Sequence, residues 1–230
     1  MQLYKYVEPA RVDILEDERI AFTPPNRFKD PFEFRPIIAP PSKQHLKQEL
    51  RDAVRQEWPA APAFYKKLPR KQRRISDRKA VKEVLKLVKS GEAGHSEFVQ
   101  DNIVNEASKG IGILCLCAAR DENLMWYHYA DGHRGFVIEF LTEHQDFQKL
   151  GNPVEVVYSD KPPTLNLEKP SPDLWRVKPM YLKYEAEYRI MARLPASTRH
   201  TTSDGHPLYL ANLPRACLKA ALINKGSNLG

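Results

Sequence analysis

The densest group of chemically capable side chains lies in one segment, Met125–Phe140, with the sequence MWYHYADGHRGFVIEF. Because histidine titrates near neutral pH, His128 and His133 are candidate acid or base catalysts. Trp126 and Tyr129 are candidates to stack against a ligand ring. The alternative is that the aromatic residues pack beneath a sheet and the histidines make structural hydrogen bonds.

A second candidate site is the pair of carboxylates in KYEAEYRIM. Glu185 and Glu187 are two residues apart where a strand is predicted to begin, so both side chains are expected on one face. Adjacent carboxylates repel each other, which raises the pKa of one of them unless a cation or a substrate is close by. Arg189 continues the same face and is a candidate for that cation. The competing interpretation is a surface row of paired Glu and Arg side chains at a sheet edge.

The motif RFKDPFEF is a third candidate, a turn anchored by phenylalanine side chains. Asp30-Pro31 is a typical turn dipeptide. Arg27 supplies a positive charge, and Asp30 and Glu33 supply carboxylates for ligand binding. A purely structural turn, in which Arg27 pairs with an acid, is the alternative.

The opening motif LYKY adds aromatic residues and one amine. Tyr4 and Tyr6 share one face of a predicted strand, and Lys5 lies opposite. By itself this is a common pattern of edge strands, so it gains weight only together with the other motifs.

The sequence does not group enough ligands for a metal centre. His128 and His133 are five residues apart, and no second histidine pair completes a ligand set at a recognisable spacing. Cys115 and Cys117 stand in an apolar run that predicts a buried strand. We therefore expect no metal.

The predicted elements that carry these residues are short strands, with helices gathered in the middle of the chain. Strands are expected at Leu3–Val7, Arg19–Thr23, the run IGILCLCA, Gly135–Leu141, Val154–Tyr158, Glu187–Leu194 and Leu208–Leu210. Helical spacing predicts helices at His45–Trp58, after a cap at Ser76, and at Ala216–Ile223. The pattern predicts an α+β fold: a mixed, mostly antiparallel sheet core in a single domain, residues 1–230, with a helical insertion at about residues 36–109.

Positive charge is concentrated in that helical middle. The chain has a formal net charge of +7. Its densest basic stretch contains Lys66, Lys67, Arg70, Lys71, Arg73 and Arg74, followed by Arg78, Lys79 and Lys82. Such a stretch can bind a polyanion by releasing counterions, which makes nucleic acid or a nucleotide phosphate a candidate partner. Because few aromatic residues are interleaved there, a solvated helical surface is the favoured alternative.

Cysteine usage and hydropathy bear on the compartment. Three cysteines are too few and too unevenly placed for a disulfide framework, which favours a reducing compartment. No apolar run approaches the roughly 20 residues that a membrane span needs, and the first residues do not resemble a secretory signal. We expect a soluble, cytoplasmic protein. The absence of a GxGxxG motif after a strand and of a P-loop gives no support to those nucleotide sites.

Four of the motifs together resemble those of a bacterial family that is known as a domain of unknown function. The family pattern combines a LYKY-like first strand, an RFxDPFE turn, an LMWxHYAxxHxGxxIxF centre and a YExEYR element. This sequence carries them at Leu3–Tyr6, Arg27–Glu33, Leu124–Phe140 and Tyr184–Arg189. The resemblance covers the chain outside its helical middle and brings no activity with it.

A more distant likeness is to ADP-ribosyltransferases. Those enzymes open with a strand whose aromatic–polar motif receives NAD, and continue with a helix that ends in a YA-like pair, a glycine and a strand. They finish with Glu-x-Glu or Gln-x-Glu, of which the second acid is catalytic. The matching positions here are Tyr4–Tyr6, Tyr129-Ala130, Gly135, Glu185 and Glu187. The first strand carries no HGT-like or Arg-led motif and the chain has no clear Ser-Thr-Ser, so the likeness is one of layout.

This likeness implies a role for each candidate residue. Glu187 would hold a ribose hydroxyl and stabilise the cation that forms as nicotinamide leaves, and Glu185 would orient or deprotonate the acceptor. Lys5 or Arg27 would bind the pyrophosphate. The implied NAD-binding set, whose aromatic members include the residues that stack on nicotinamide, is Tyr4, Lys5, Tyr6, Arg27, Asp30, Trp126, Tyr129 and Arg189.

The leading hypothesis is therefore an NAD-using ADP-ribosyltransferase-like enzyme, of the toxin or phage-conflict kind, that modifies a nucleic acid or a protein. One alternative is a non-enzymatic nucleic-acid- or protein-binding module that uses the basic helical insertion. Another is a metal-independent nuclease or hydrolase that uses His128, His133 and Glu187. The site prediction requires Lys5, Arg27, His133 and Glu187 to converge on one cleft.

Overall fold

The chain divides into two compact units, each described by itself below. The first comprises Met1–Pro36, Asp101–Pro163 and Pro172–Gly230, and the second Ile37–Gln100 and Thr164–Ser171. The second unit thus covers much of the predicted insertion, and the single domain stays a prediction. The computed structural model describes residues 1–28, 30, 33–39, 42, 44–45, 48–49, 52, 66–76, 78–79, 82, 93–166, 169, 171–193, 195, 198–201, 205 and 207–223.

Most of the described strands are short. In chain order they are β1 (Gln2–Val7), β2 (Arg19–Phe22), β3 (Ile37–Ile38), β4 (Ile111–Cys117), β5 (Phe136–Leu141), β6 (Val154–Glu155), β7 (Val157–Ser159), β8 (Thr164–Leu165), β9 (Val177–Pro179), β10 (Glu187–Arg193), β11 (Arg199–Thr201), β12 (Pro207–Asn212) and β13 (Leu218–Ile223).

The main sheet of the first unit has the strand order β13-β5-β1-β4-β10-β6, and its registered pairs are all antiparallel. A second antiparallel sheet has the order β11-β12-β2. Two small parallel pairs complete the described pairing, β7 with β9 in the first unit and β3 with β8 in the second. The predicted α+β fold with a mixed, mostly antiparallel sheet is confirmed.

Both faces of the main sheet are covered, which explains why β4 is apolar along almost its whole length. Alternation along β1 divides the core into two clusters. One cluster includes Leu3, Val7, Leu114, Ile138, Phe140 and Ile190. The cluster on the other face includes Tyr4, Tyr6, Cys117, Met125, Trp126, Ala130 and Val137.

The strands β1 and β4 are neighbours in the main sheet, but they pair over a very short stretch and then diverge. They pair at one register position, Tyr4 with Cys117, whereas β1 pairs with β5 from Gln2 to Val7. Further along β4, Ile113 is bonded instead to Thr23, through both main-chain groups. The sheet is therefore open between β1 and β4.

Helices join these strands. The labelled helices are α1 (Asp13–Glu16), α2 (Ala93–Ser108), α3 (Asn123–Tyr129) and α4 (Gln145–Gln148). Short 3₁₀ turns lie at Pro9–Arg11, Pro25–Arg27, Pro172–Arg176, Met180–Glu185 and Arg215–Cys217. Among the described residues, no helix is both long enough and apolar enough to cross a membrane.

The helical middle agrees with the sequence pattern in type but not in detail. Residues 44–45, 48–49, 52, 66–67, 70–76, 78–79 and 82 are helical. Ser76 is itself helical, so the prediction that it caps a helix is wrong. Most of the predicted helix His45–Trp58 lies outside the described residues.

Two further predictions need correction. Ala216–Ile223 is not a helix, because Leu218–Ile223 forms the edge strand β13 against β5. Val154–Tyr158 is not one strand. It divides at Val156, whose amide bonds to the Glu187 carbonyl, so that β6 pairs with β10 and β7 with β9.

Candidate functional site

A cavity of about 610 Å³ lies in the first unit where β1 and β4 part, and each strand contributes three consecutive residues to its wall. Its cationic side chains are Lys5, Arg27 and Lys178. Its carboxylates are Asp30, Glu33, Glu185 and Glu187. Its aromatic residues are Tyr4, Tyr6, Phe28 and Tyr129. The wall thus gathers most of the side chains that the sequence motifs single out.

Lys178 of β9 joins the two predicted carboxylates. Its Nζ donates to Glu187 Oε2 at 2.7 Å and also to Glu185 Oε2. It lies 3.4 Å from Glu33 Oε1. Glu185 and Glu187 reach the same amine because Ala186 between them adopts a left-handed conformation, with φ at 39°. The pair is therefore held by a turn, and not by two successive positions of one strand.

Arg189 completes this cluster from behind Glu187. Its side chain is fully buried and donates through Nε to Glu187 Oε1 at 2.7 Å, and through Nη2 to Glu33. A third hydrogen bond, of 2.9 Å, runs from Nη1 to the Trp175 carbonyl. The guanidinium lies 5.0 Å from the centre of the Phe34 ring, a cation–π distance. Three carboxylates and two cations thus form one buried network.

The network fixes which of its groups are charged. Burial alone would raise the pKa of Glu187, but the charges of Arg189 and Lys178 outweigh it and lower that pKa to about 2. Burial likewise opposes the charge of Lys178, whose pKa is nevertheless raised by the three carboxylates around it. For Glu33 burial dominates and its pKa is raised. Glu187 is therefore ionised at neutral pH, and Glu33 takes up a proton more readily than Glu187 does.

Lys5 lies in the same cavity in a different environment. Its Nζ donates to the Cys115 carbonyl at 3.3 Å, and no salt bridge within the described residues includes it. Burial lowers the pKa of Lys5, and the charge of Arg11 adds to that effect, while Cys115 and Glu187 act against it. Of the two described lysines that line the cavity, Lys178 has a raised pKa and Lys5 a lowered one.

Tyr129 connects the helix α3 to the carboxylates. Its hydroxyl donates to Glu185 Oε1 at 2.8 Å, and burial together with the Glu185 charge raises the pKa of the phenol. Trp126 does not line the cavity. It is buried and packs edge-on against Tyr6, with 5.3 Å between ring centres, because α3 turns its apolar side toward the sheet.

The two histidines of the central motif lie outside the cavity wall. His128 is exposed, with its ring 6.4 Å from that of Tyr184. His133 belongs to the turn after α3 and has a φ of 69°. Of the four residues expected to converge, Lys5, Arg27 and Glu187 share the cavity and His133 does not.

The RFKDPFEF turn reaches the cavity through its polar residues. Arg27, at the end of the 3₁₀ turn Pro25–Arg27, and Asp30 both line it. Asp30 accepts a 2.6 Å hydrogen bond from the Tyr181 hydroxyl. Glu33 projects into the buried network, and the next residue, Phe34, has a left-handed φ of 60°.

The sequence does not single out Lys178, which is central to the network. It stands in a proline-rich region that predicts a loop, and the charges of the other motifs do not point to it, because their acidic and cationic residues are equal in number. Among the described residues, no group of three or more His, Cys, Asp and Glu side chains is arranged to hold a metal ion.

The assembled groups suit proton transfer and the stabilisation of a cation. Glu187 offers a permanent negative charge, and Tyr129 with Glu185 offers a hydrogen-bonded pair that can pass a proton. Comparisons of the chain with protein-family models, with curated proteins and with solved structures find no match. The family resemblance and the likeness to ADP-ribosyltransferases therefore rest on the sequence motifs.

Proposed function

We propose that the chain is an ADP-ribosyltransferase-like enzyme that uses NAD as a substrate and modifies a nucleic acid or a protein. The observation that carries this proposal is an ionised, buried carboxylate, Glu187, in the wall of a ligand-sized cavity. Departure of nicotinamide leaves positive charge on the ribose ring, and a fixed negative charge beside the ring stabilises that transition state. Arg189 and Lys178 keep Glu187 ionised, so no proton has to leave before the reaction.

The cavity wall is compatible with the parts of NAD. Its volume of about 610 Å³ falls within the range of roughly 300–1,000 Å³ that is usual for small-molecule sites. Arg27 supplies positive charge for the pyrophosphate, and the ring of Phe28 or Tyr129 supplies a stacking surface for nicotinamide. Glu185, in contact with the Tyr129 hydroxyl, is the base for the acceptor. The nuclease alternative is less well supported, because His128 and His133 lie outside this cavity.

Release of nicotinamide from NAD, followed by chromatography, tests the proposal. Glu187→Gln keeps the shape of the side chain and removes its charge, so we expect nicotinamide release to fall about 100-fold or more. Glu155→Gln is the matched control, because Glu155 is exposed on β6, and it should release nicotinamide at the wild-type rate.

Because Glu187 also pairs with buried cations, thermal unfolding of each variant must show that it is folded. A wild-type chain that releases no nicotinamide with any acceptor, and whose melting temperature does not rise with NAD, would contradict the proposal. Equal loss of activity in Glu155→Gln would contradict the assigned role of Glu187.

A second candidate function, binding of a nucleic acid, is favoured by the basic helical residues of the second unit. Arg70, Lys71, Arg74 and Arg78 border one surface groove together with Ile75. All five are exposed. Positions four apart on a helix lie on the same side, so three of these arginines form one positively charged row. Such a row can neutralise successive phosphates of one strand.

The salt dependence of nucleic-acid binding tests this second candidate. Substitution of Arg70, Arg74 and Arg78 by Gln should weaken binding of a single-stranded oligonucleotide. The slope of the logarithm of the binding constant against the logarithm of the salt concentration should become shallower by about 0.7 for each phosphate that is no longer neutralised. Neutralising the exposed Lys149 and Lys161 is the control and should leave the slope unchanged. Equal slopes for wild type and the arginine variant would count against a role for this row.

A further inference from the structure

Two lysines in the cavity have opposite environments. Lys178 lies within 4.0 Å of three carboxylates, so its amine is held as a cation. Within the part of the chain that the structure describes, Lys5 makes one side-chain hydrogen bond, to the Cys115 carbonyl at 3.3 Å. When one site shifts the pKa values of two groups of the same type in opposite directions, the two are suited to different chemical roles.

The opening between β1 and β4 explains why the Lys5 amine is in this position. Since the two strands pair at one register position, the Cys115 carbonyl is left to a side-chain donor from β1. Of the three hydrogens that an ammonium group offers, this bond uses one. The charges that act on the amine are those of Arg11 and Glu187, with Cys115 as the third titratable neighbour, and burial has the largest effect and lowers the pKa of Lys5. An uncharged amine has a lone pair available for attack on a ligand in the cavity.

We propose that Lys5 is a nucleophilic amine that captures a small hydroxylated aldehyde or ketone, of the open-chain sugar type, as a Schiff base in this cavity. The carbonyl class follows from the nucleophile, because lysine amines react with carbonyl groups in this way. The hydroxyl groups follow from the wall, where Glu185, Asp30 and the Tyr129 hydroxyl can all accept hydrogen bonds. This inference concerns the same cavity but does not rest on the transfer of ADP-ribose.

The reaction balances without a further reactant. The nitrogen lone pair of Lys5 forms a bond to the carbonyl carbon, and the carbonyl oxygen takes up a proton to give a carbinolamine. The carbon–oxygen bond then breaks, the oxygen leaves as water, and a carbon–nitrogen double bond forms. Both amine hydrogens are lost overall, as the two hydrogens of that water. The step is reversible until an added hydride donor reduces the double bond.

Reductive labelling of the wild-type chain tests the inference. The protein is treated near pH 7 with limiting D-glyceraldehyde and sodium cyanoborohydride, and the labelled lysines are ranked by peptide mass spectrometry. Each unit by which a lysine pKa falls raises its neutral fraction about tenfold. We expect Lys5 to be labelled faster than the exposed Lys161, and Lys178 to stay unlabelled. Fragment spectra separate Lys5 from the α-amine of Met1.

A Lys5 label no faster than that of Lys161 would overturn the inference, and so would preferential labelling of Lys178. Propanal, which has the same carbon chain without hydroxyls, serves as the second probe. The ratio of Lys5 to Lys161 labelling should be lower with propanal than with glyceraldehyde, and an equal ratio would contradict the proposed hydroxylated class.

Lys5→Arg is the matched variant, because arginine keeps a donor for the Cys115 carbonyl but does not form a Schiff base. It should lose the cavity label and keep the label on Lys161. If this variant does not fold, an excess of glycerol should slow labelling of Lys5 in the wild type without slowing that of Lys161, and equal slowing would overturn the inference. Nicotinamide release is measured separately, so either proposal can fail while the other stands.

Discussion

At the scale of single residues, the network around Lys178 stabilises the fold only as a complete set. Charges that are removed from water have a high desolvation cost, which is offset when every charge is paired and hydrogen-bonded. Glu33, Glu185 and Glu187 are each at most 6% exposed. Loss of one cation therefore leaves buried carboxylates without sufficient compensation.

Substitution of Lys178 by methionine should lower the free energy of unfolding by about 3 to 5 kcal/mol, because Glu185 and Glu187 lose their shared partner. Lys178→Arg keeps the charge and should cost less than Lys178→Met. Urea denaturation at neutral pH measures both values. A methionine variant as stable as the wild type would show that the network contributes no net pairing energy.

The pKa of Glu187 predicts how stability changes with pH. It falls from 4.5 to about 2 on folding, so ionised Glu187 stabilises the fold above about pH 4.5 and this contribution is lost as the pH drops toward 2. The stability difference between wild type and Glu187→Gln should therefore narrow by about 2 kcal/mol between about pH 5 and about pH 3. Urea denaturation at several pH values measures it. If the stability difference between wild type and Glu187→Gln widened on acidification, the pKa of Glu187 would not be lowered by folding.

The sequence predicts part of this network. The spacing of Glu187 and Arg189 indicates that they lie on one face of β10, and that inference needs only the period of a strand, whereas Glu185 lies in the 3₁₀ turn before it. The sequence does not predict the left-handed Ala186, nor the contact with Lys178 from β9, since both depend on how separate segments pack. From the sequence, His128 and His133 are as good candidates for acid or base catalysis as the carboxylates are. They lie outside the cavity because of the way α3 and the turn after it pack against the sheet, which the sequence does not predict.

At the scale of elements, the connection from α3 to β5 depends on two glycines with different requirements. Gly132 has a φ of 58° and open space around the position of a Cβ. Gly135 has no such φ, but a Cβ there would overlap the Val7 carbonyl oxygen and press on Ala130. The first glycine is needed for its backbone conformation and the second for the close approach of β1.

This difference predicts unequal costs for the same substitution. Gly132→Ala should lower the free energy of unfolding by about 1 to 2 kcal/mol, the cost of a left-handed alanine. Gly135→Ala should lower it by about 3 kcal/mol or more, because main-chain atoms of β1 must move. Thermal and urea unfolding of the two variants measure these values. If the two substitutions lowered the free energy of unfolding equally, β1 would be able to move away from a Cβ at position 135 at little energetic cost.

The strand β13 shows where local sequence is a poor guide to an element. LKAALI contains good helix formers, and the helix predicted there follows from their intrinsic preference. The same residues alternate in burial once the segment pairs with β5, from Leu218 with Phe140 to Ile223 with Phe136. Pairing with an existing sheet edge outweighs a preference of a few tenths of a kcal/mol per residue. By contrast, the apolar run of β4 and the alternating aromatic residues of β1 predict strands correctly.

At the scale of the whole molecule, three cysteine thiols can be used to follow the unfolding of the first unit at its central strand and near its edge strand. Cys115 and Cys117 lie in β4 near the middle of the main sheet, and Cys217 lies in the 3₁₀ turn before the edge strand β13. Burial raises the pKa of all three, that of Cys117 to about 11. Because the thiolate is the reactive form, each thiol should react slowly while the sheet is intact.

Labelling with a thiol-specific disulfide reagent in increasing urea should therefore show whether this unit unfolds in one step. We expect little reaction of any cysteine in the native state near pH 8, and a rise in the reactivity of all three at the urea midpoint at which far-ultraviolet circular dichroism is lost. The reason is that Leu3, Ile138 and Cys217 belong to one core cluster, so the edge strand and the central strands share their packing. Reaction of Cys217 at a lower urea concentration than Cys115 and Cys117 would show instead that β13 separates from β5 before the rest of the sheet opens.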